Sequence, residues 1–490
     1  MTTVKTEVKE VGLYINGEYV PSSDGETFEV TNPANQELIA RVSEATEEDV
    51  DRACRAARDA FENGPWRKMP IEERAAKLRK MADIILERKE EIARNDAMDV
   101  GKPYEATLNG EVARAAHNIR FFADFAEKQG AEAYPMGEEY INYTRYEPVG
   151  VAALITPWNV PFMLTTWKLG PCLAAGNTAV IKPAENTPLS VSLLGEIAKE
   201  AGIPDGVVNV VQGKGSVVGN ALTTHPEVDL VSFTGSTATA KHIMESGAST
   251  LKKVSFELGG KAANIIFEDA DLEKAIPGSI RAAFFNSGQV CLAGSRILVQ
   301  RSILDEFLEK FKQAAQAMKV GDPQEKGTDM GPLVSEDHYK KVTSYFEVAK
   351  QEGAQLISGG KRPELPEKLS EGFYLEPTIY VHEDPKARIC QEEIFGPVVT
   401  IIPFDTEEEA LEIANDTQYG LNGVVWTENL KRAHRISHGV RAGTIWVNCW
   451  FVRDLRAPFG GFKKSGIGRE GGEHSMAFFT EAKNICIALN

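Results

Sequence analysis

Short apolar runs alternate with helix-like segments from Pro148 onward, and this alternation constrains the fold of the 490-residue chain more than any other feature. We predict a buried strand in each of VGVAALIT, TAVIKPAE, VVNVVQG, DLVSFTGS, KKVSFELGG and AANIIFED. Strands that lack polar alternation are covered on both faces, which is typical of a parallel sheet between layers of helices. Such doubly wound sheets bind ligands at the carboxyl ends of their strands. The sequence therefore predicts an α/β fold.

The alternation restarts after about Gly260, and this second series predicts a second α/β domain. We expect helices in SILDEFLEKFKQAAQAMKV and TEEEALEIANDT. Strands are expected in ARICQEEIFGPVVTIIPF, GLNGVVWTEN and AGTIWVNCW.

The N-terminal part begins with a predicted hairpin and continues with three predicted helices. Asn16-Gly17 lies between short apolar runs and is the favoured two-residue hairpin turn. Thr46 followed by Asp49 is typical of a helix N-terminus. A second helix is expected over about Ile71 to Ala97, and a third in EVARAAHNIRFFADFAEK, where apolar residues repeat with the helical period. We expect the first twelve residues to be disordered and assign no function to them.

Two further segments fit neither series. We expect an edge strand in EEYINYTRYEP, near residues 138–148, and another in FFTEAKNICIALN, at residues 478–490. Strands of this kind either form the edge of a sheet or pair between subunits, and the sequence leaves both alternatives open.

Composition excludes several classes of partner. Asp and Glu outnumber Lys and Arg by 71 to 54, and a net charge of −17 disfavours binding to nucleic acid. No apolar run is long enough for a membrane span or typical of a secretory signal. The six cysteines are scattered without a CxxC pair and no HExxH motif occurs, so we expect no disulfide framework and no metal site. These features favour a reducing compartment, and we expect the cytoplasm.

Three residues in separate motifs are candidates for catalysis. Cys291, in FFNSGQVCLAGSR, lies among small residues and is a candidate nucleophile, although a lone cysteine is more often buried and inert. Glu257 ends an apolar strand in FELGGK and is a candidate general base, the alternative being a surface glutamate in a tight turn. Asn159, in ITPWNVP, is a candidate donor to an oxyanion, the alternative being a helix N-cap.

Taken together, these motifs resemble those of the aldehyde dehydrogenase superfamily. The resemblance extends from the YINGEYV hairpin to the segment SGIGRE, over essentially the whole chain. The motifs that carry it occur in the family's order: ITPWNVP, VIKPAENTP, FTGST, FELGGK, FNSGQVC, QEEIFGPV and PFGGFKKSGIGRE.

The resemblance implies a mechanism with four catalytic residues. Cys291 matches the nucleophile, which forms a thiohemiacetal with the aldehyde. Asn159 and the backbone N–H of Cys291 match the oxyanion site. Glu257 matches the base that activates water to hydrolyse the thioester, and Lys182 matches a lysine that contacts the cofactor ribose and takes part in proton relay.

The resemblance also implies NAD as the cofactor. Glu185 matches a residue at the adenosine ribose, where a carboxylate accepts from a 2′-hydroxyl and repels a 2′-phosphate, so NADP is expected at lower efficiency. Gly235 and Ser236 match the start of the helix that faces the pyrophosphate. Glu393 matches the residue at the nicotinamide ribose, and Phe395 an aromatic beside the nicotinamide. The remaining expected cofactor contacts are Ile155, Trp158, Gly215 and Leu258.

Two arginines in the expected substrate tunnel suggest an anionic substrate. Arg453 falls where many family members carry an aromatic residue, and Arg114 falls near the entrance. A guanidinium in an apolar tunnel suits a carboxylate. The run RDLRAPFGG and this arginine pair resemble the branch that oxidises 2-hydroxymuconate or 2-aminomuconate semialdehyde. The other residues expected in the tunnel are Met163, Trp167, Val290, Leu292 and Phe459. Alternatives are that Arg453 pairs with a protein carboxylate, either Asp454 or another acid, or that the enzyme accepts neutral aldehydes broadly.

The resemblance finally implies a domain organisation. An NAD-binding domain is expected over residues 1–125 and 149–259, a catalytic domain over 260–460, and small oligomerisation segments over 126–148 and 473–490. A homodimer or homotetramer acting on a small-molecule aldehyde is expected. A cysteine esterase is the alternative of another class, and it would not need the cofactor motifs VIKPAE and FTGST.

Overall fold

The computed structural model describes residues 8–489, and its strands form four sheets. The strands are β1 (Lys9–Val11), β2 (Leu13–Ile15), β3 (Glu18–Val20), β4 (Thr27–Thr31), β5 (Leu38–Ser43), β6 (Ala133–Met136), β7 (Tyr140–Pro148), β8 (Val151–Ile155), β9 (Thr178–Lys182), β10 (Val208–Val210), β11 (Leu230–Thr234), β12 (Lys253–Glu257), β13 (Ala263–Ile266), β14 (Arg296–Gln300), β15 (Gln355–Ser358), β16 (Thr378–Val381), β17 (Val398–Phe404), β18 (Asn422–Trp426), β19 (Thr444–Val447), β20 (Gly466–Ile467) and β21 (Thr480–Ala488).

Helices cover the faces of the two large sheets. They are α1 (Glu47–Glu62), α2 (Ile71–Glu87), α3 (Lys89–Asp99), α4 (Tyr104–Ala106), α5 (Val112–Glu127), α6 (Pro161–Ala175), α7 (Leu194–Glu200), α8 (Asn220–Thr224), α9 (Thr237–Gly247), α10 (Leu272–Phe284), α11 (Leu304–Gln316), α12 (Glu336–Gln351), α13 (Arg388–Gln391), α14 (Glu407–Asn415), α15 (Leu430–Gly439) and α16 (Gly472–Phe478). Within the described residues, no helix is long and apolar enough to span a bilayer.

The first large sheet has eight strands in the order β20-β12-β11-β8-β9-β10-β2-β3. Its five central strands are parallel, while β20 and the β2–β3 hairpin pair antiparallel at the two edges. Every residue of β8, β9 and β10 is buried. The predicted α/β fold with a doubly wound sheet is therefore confirmed, and apolar runs without alternation identified its central strands.

The second large sheet has seven strands in the order β15-β16-β17-β14-β13-β18-β19. All neighbours are parallel except β15, which is antiparallel to β16 at the edge. The restarted alternation after Gly260 thus corresponds to a separate sheet with its own core. The predicted domain boundaries themselves stay a prediction.

The two predicted edge strands pair with each other in a small third sheet of order β21-β7-β6. Nine residue pairs join β7 to β21, from Thr480 opposite Pro148 to Ala488 opposite Tyr140. The prediction was wrong for β7, which is the central strand, because β6 (Ala133–Met136) covers its other side. Sequence patterns report which segments are extended, but not which segments pair.

The N-terminal predictions hold with two corrections. Asn16 and Gly17 both have positive φ, as the hairpin turn requires, and Thr46 and Asp49 form a reciprocal capping box. The helix predicted over Ile71 to Ala97 is two helices, because Arg88 leaves helical backbone angles and pairs with acids on α3 and α7. Disorder over the first twelve residues is wrong for Lys9–Val11, which forms β1 by pairing with β5, while residues 1–7 lie outside the described part of the chain.

Candidate active site

A cavity of about 760 Å³ opens at the carboxyl ends of four neighbouring parallel strands. The last residues of β8, β9, β11 and β12 all line it, where a doubly wound sheet binds its ligands. Every residue that the sequence predicted for catalysis or cofactor binding lines this one cavity: Ile155, Trp158, Asn159, Lys182, Glu185, Gly215, Gly235, Ser236, Glu257, Leu258, Cys291, Glu393 and Phe395. The structure brings these residues together, and their individual roles stay predictions.

Cys291 follows a turn with unusual backbone angles. Asn286, Ser287 and Gly288 have φ of 50°, 57° and 71° in succession, in the left-handed region. A Cβ atom at Gly288 would overlap with the carbonyl of Gly396, so this position requires glycine. The hydroxyl of Ser287 donates to the carbonyl of Gly331 at 2.9 Å and holds the turn. The half-buried Cys291 thiol therefore stands on a rigid segment at the cavity wall.

Asn159 is fixed against the same turn. Its Nδ2 donates to the carbonyl of Gln289 at 2.8 Å, and Nδ2 of Asn286 donates to the carbonyl of Asn159 at 3.0 Å. The alternative that Asn159 caps a helix is wrong, because α6 begins at Pro161 with Val160 as the preceding residue. An amide nitrogen carries two hydrogens, so one of them remains for an oxyanion beside Cys291.

Glu257 is buried at the end of β12, and neither of its carboxylate oxygens has a hydrogen-bond partner within the described residues. The alternative of a surface glutamate is therefore wrong. Burial, reinforced by the negative charge of Glu470, raises the pKa of Glu257 well above its usual range. A buried carboxyl without partners in a cavity wall is suited to accept a proton.

The Cys291 thiol is protonated at neutral pH in this environment. Burial and the negative charges of Glu393 and Glu257 raise its pKa to about 12, while the positive charge of Arg453 opposes the rise. Since the thiolate is the reactive form, added positive charge in the cavity increases reactivity.

The far end of the cavity combines a helix N-terminus with the Lys182–Glu185 pair. Ser236 caps α9, and its hydroxyl oxygen accepts from the backbone N–H of Thr239 at 3.1 Å. Lys182 Nζ donates to the carbonyl of Pro183 at 2.9 Å and to the exposed Glu185 carboxylate at 3.4 Å. Free N–H groups at a helix start favour a phosphate, and an exposed carboxylate nearby can accept from sugar hydroxyls.

Glu393 and Phe395 form the part of the cavity nearest to Cys291. Glu393 Oε1 accepts from the backbone N–H of Gly260 at 2.8 Å. A Cβ atom at Gly259 would overlap with the Glu393 carboxylate, so this close approach requires glycine. Phe395 has a φ of 63°, and its ring lies 5.3 Å from the ring of Trp158.

The Arg453 guanidinium lies against two aromatic rings, outside the lining of the large cavity. It is 4.8 Å from the ring centroid of Trp167 and 3.9 Å from that of Phe459. Its Nη2 is buried and has no hydrogen-bond partner within the described residues. Burial, together with the positive charge of Arg114, lowers the pKa of Arg453 to about 10, while the negative charges of Glu470 and Glu257 oppose this shift. A buried guanidinium nitrogen without a hydrogen-bond partner is costly, so this position favours an anionic ligand.

Asp454, one of the carboxylates considered as a partner for Arg453, forms an ion pair with a different arginine. Asp454 pairs with Arg456 at 2.6 Å, and this ion pair holds the pKa of Asp454 near 2. The other residues expected in the tunnel pack in two hydrophobic cores. Met163 and Trp167 belong to a core at the first large sheet, and Val290, Leu292 and Phe459 belong to a core at the second. The lining of the large cavity includes none of these residues, nor Arg114 or Arg453. The tunnel therefore stays a prediction.

Comparison with known proteins assigns the family. The model of the aldehyde dehydrogenase family matches residues 19–485. The chain belongs to this family. It is 48% identical over 487 residues to a 2-hydroxymuconic semialdehyde dehydrogenase of Pseudomonas sp. (strain CF600), covering 98% of this chain and 100% of the relative. A 5-carboxymethyl-2-hydroxymuconate semialdehyde dehydrogenase of Escherichia coli is 45% identical, covering 96% and 99%.

Solved structures agree with this assignment. An NAD⁺ complex of an aldehyde dehydrogenase from Bacillus cereus matches with a TM-score of 0.96 and 44% identity, covering 98% of this chain and 97% of that one. The protein is thus an aldehyde dehydrogenase, an oxidoreductase with the fold of its family.

The sequence analysis of this aldehyde dehydrogenase missed two groups, the half-buried His338 and the buried Glu470. His338 lines the cavity, its Nε2–H donates to the carbonyl of Phe395 at 2.7 Å, and burial lowers its pKa to about 4, so it is neutral. Glu470 accepts from Trp167 Nε1 at 2.5 Å and from Lys168 Nζ at 2.7 Å. Glu470 lies within the quoted motif PFGGFKKSGIGRE, whereas no sequence pattern singles out His338.

Proposed function

We propose that this aldehyde dehydrogenase oxidises a semialdehyde that carries a carboxylate, such as 2-hydroxymuconate semialdehyde, to the corresponding diacid with NAD. The single observation that carries the substrate class is the buried Nη2 of Arg453, which has no hydrogen-bond partner within the described residues and lies close to the rings of Trp167 and Phe459. Relatives of the chain are named as 2-hydroxymuconic and 2-aminomuconic semialdehyde dehydrogenases, and these names support the same class.

In the first step, the Cys291 thiol loses its proton to water in the cavity, and the thiolate Sγ adds to the aldehyde carbon. The Asn159 amide and the backbone N–H of Cys291 donate to the oxygen that becomes negative, which lowers the barrier because both donors are already oriented. The rigid turn before Cys291 supports this assignment, since it fixes the thiol against the Asn159 amide. The addition converts an inert aldehyde C–H bond into a hydride donor.

The residues of the large cavity fit NAD. Its volume of about 760 Å³ suits a ligand of this size, and glycine at position 259 leaves room beside Glu393. The α9 N-terminus at Ser236 would hold the pyrophosphate, Lys182 and Glu185 the adenosine ribose, and Glu393 the nicotinamide ribose. NAD supplies the oxidation by accepting a hydride. Because Glu185 disfavours a 2′-phosphate, NADP is used less efficiently.

Glu257 completes the reaction by activating water. After oxidation, a thioester remains on Cys291, and Glu257 accepts a proton from the water that attacks it. Its raised pKa makes the carboxylate a stronger base than an ordinary glutamate. A cysteine esterase could use the same thiol and oxyanion donors, but it would not need a cofactor cavity.

We further propose that the enzyme is a cytoplasmic homodimer or homotetramer. The third sheet exposes apolar side chains on several strands, including Tyr134, Met136, Ile141 and Ile487, and contiguous apolar surface of this kind marks an interface. All six cysteines are free thiols, which fits a reducing compartment.

The deciding experiment compares 2-hydroxymuconate semialdehyde with a neutral aldehyde of similar length, by following NADH formation at saturating NAD. We expect kcat/KM to favour the semialdehyde by more than about 100-fold, which corresponds to about 2.7 kcal/mol of transition-state discrimination. Equal kcat/KM values would refute the substrate class and indicate a generalist enzyme.

A further inference from the structure

One backbone carbonyl next to the nucleophile receives hydrogen bonds from two separate elements. The carbonyl of Leu292, the residue after Cys291, accepts from Trp450 Nε1 at 3.1 Å and from Asn422 Nδ2 at 3.2 Å. Trp450 is 6% exposed and lies three residues before Arg453. The segment that carries the thiol is therefore bonded directly to the loop that carries the arginine.

The Trp450 indole also packs against both segments. Its ring centroid lies 6.2 Å from that of Phe285, which begins the turn before Cys291, and 5.1 Å from that of Phe451. The guanidinium of Arg281, on α10, lies 5.8 Å from the indole. Trp450 thus contacts the nucleophile segment before and after Cys291, while its own chain continues into the arginine loop.

The arginine loop, residues 448–459, keeps an unfavourable backbone conformation. Asn448 and Phe451 have φ of 53° and 62°, which bulky residues rarely adopt. The surroundings hold the loop there, since Trp446 Nε1 donates to the carbonyl of Val452 at 2.8 Å. Such strain persists only where neighbouring contacts over-determine the conformation, so Arg453 has a defined position relative to Cys291.

We infer that Trp450 is a positioning residue that sets the separation between the Cys291 thiol and the Arg453 guanidinium, and that it thereby selects the length of the substrate. This inference rests on the proposed function, because the separation matters only when Arg453 binds the carboxylate. The substrate must reach both groups at once, and a displacement of about 1 Å can cost about 100-fold in rate. A semialdehyde that is too short or too long can reach either the Cys291 thiol or the Arg453 guanidinium, but not both.

The test replaces Trp450 by Phe, which keeps a ring and removes the N–H donor. Trp426→Phe is the matched control, since Trp426 is equally buried and its Nε1 donates to Asn264 Oδ1 at 2.9 Å, away from both segments. The substrates are the semialdehydes of succinic and adipic acids, which have the same end groups and different lengths. Hexanal is the neutral reference.

We expect Trp450→Phe to reduce the ratio of kcat/KM between the preferred and the other semialdehyde by about fivefold or more, because one hydrogen bond between the segments is lost. Alkylation of Cys291 by iodoacetamide should become about threefold faster, because a less restrained thiol is more accessible. Trp426→Phe should lower the melting temperature to a similar degree and leave both readouts at wild-type values. An unchanged length ratio in Trp450→Phe would overturn the inference.

Failure of the proposed function gives a different result. If wild-type enzyme does not prefer adipic semialdehyde over hexanal, the substrate class is refuted before any variant is compared. If Trp450→Phe does not fold, Asn422→Leu removes the other donor to the same carbonyl. This variant should speed alkylation and keep the length ratio, because the arginine loop keeps its bond to Leu292. A reduced length ratio in Asn422→Leu would overturn the inference, because length selection would then not depend on Trp450.

Discussion

The proposed cofactor region and the proposed substrate region are built differently. The proposed cofactor region is a cavity at the ends of four strands, and its lining includes a helix start. In the proposed substrate region, Arg453 packs against the rings of Trp167 and Phe459. Backbone geometry can serve any member of a family, whereas the side chains that face the aldehyde distinguish one member from another.

Two arginines make a similar contrast. Arg296 is buried and donates to the carbonyls of Lys261, Ile413 and Ala414 at 2.9 to 3.0 Å, so the protein itself compensates for its burial. Arg453 is half-buried, and its buried Nη2 has no hydrogen-bond partner within the described part of the chain. A buried charge that the protein satisfies is structural, and one that it leaves unsatisfied indicates a ligand.

The largest expected effect comes from Cys291→Ala, which removes the group that both sides share. Dehydrogenase turnover should fall by about 10⁴-fold or more, because no covalent intermediate forms. NAD affinity, measured by fluorescence titration, should stay near wild type. Cys449→Ala is the control, a half-buried cysteine in the neighbouring loop whose loss should leave turnover unchanged. Substantial turnover in Cys291→Ala would refute the mechanism.

Glu257→Gln should slow the hydrolysis of the thioester without slowing the hydride transfer that forms it. Hydride transfer still occurs, but the thioester is hydrolysed about 10²- to 10³-fold more slowly, because the water has no base. Stopped-flow absorbance should show one equivalent of NADH followed by a slow steady state. A steady state as fast as wild type would contradict the role of Glu257.

The pH dependence sharpens this prediction. Hydrolysis needs the ionised form of Glu257, and burial raises its pKa well above its usual range. The wild-type steady-state rate should therefore increase with pH beyond the range where ordinary carboxyl groups ionise, and Glu257→Gln should lose this increase.

Arg453→Met should affect the substrate side alone. We expect kcat/KM for the semialdehyde to fall by about 100-fold, because a charge-assisted interaction with the carboxylate is lost, while kcat/KM for hexanal changes little. Arg456→Met is the matched control, since Arg456 pairs with Asp454 in the same loop and should leave both values unchanged. Equal losses with both substrates would mean that Arg453 only stabilises the loop.

Glu185→Gln should affect the cofactor side alone, with the smallest effect. Removing the carboxylate should raise kcat/KM for NADP by about tenfold, which corresponds to about 1.4 kcal/mol. The semialdehyde-to-hexanal ratio should not change. Glu408→Gln, an exposed glutamate on α14, controls for the change in net charge. An unchanged kcat/KM for NADP would mean that residues other than Glu185 determine the preference for NAD.

The sequence predicted local structure and the residues of the motifs better than it predicted contacts between elements that are distant along the chain. Buried apolar runs identified the parallel strands, and Thr46 and Asp49 identified a helix start, because these signals depend on neighbouring residues. The motifs also named the residues that meet in the large cavity. The break at Arg88 depends on an ion pair with distant Glu196, so no local pattern contains it.

The buried partners of the site escaped prediction for the same reason. His338 reaches the cavity from α12 to bond a carbonyl 57 residues away, and Glu470 bonds Trp167 across 303 residues. Hydrogen bonds of this kind join elements that only the fold brings together. Sequence periodicity describes the faces of single helices and strands, and it carries no information about hydrogen bonds between distant elements.

The pairing of β7 with β21 has a consequence for synthesis on the ribosome. The roughly 330 residues between Pro148 and Thr480 take on the order of half a minute to translate, so β7 leaves the ribosome long before its partner exists. Throughout that time one edge of β7 is open to any other extended chain. The last strand to be made closes this edge, and nascent chains therefore need protection from one another until translation is almost complete.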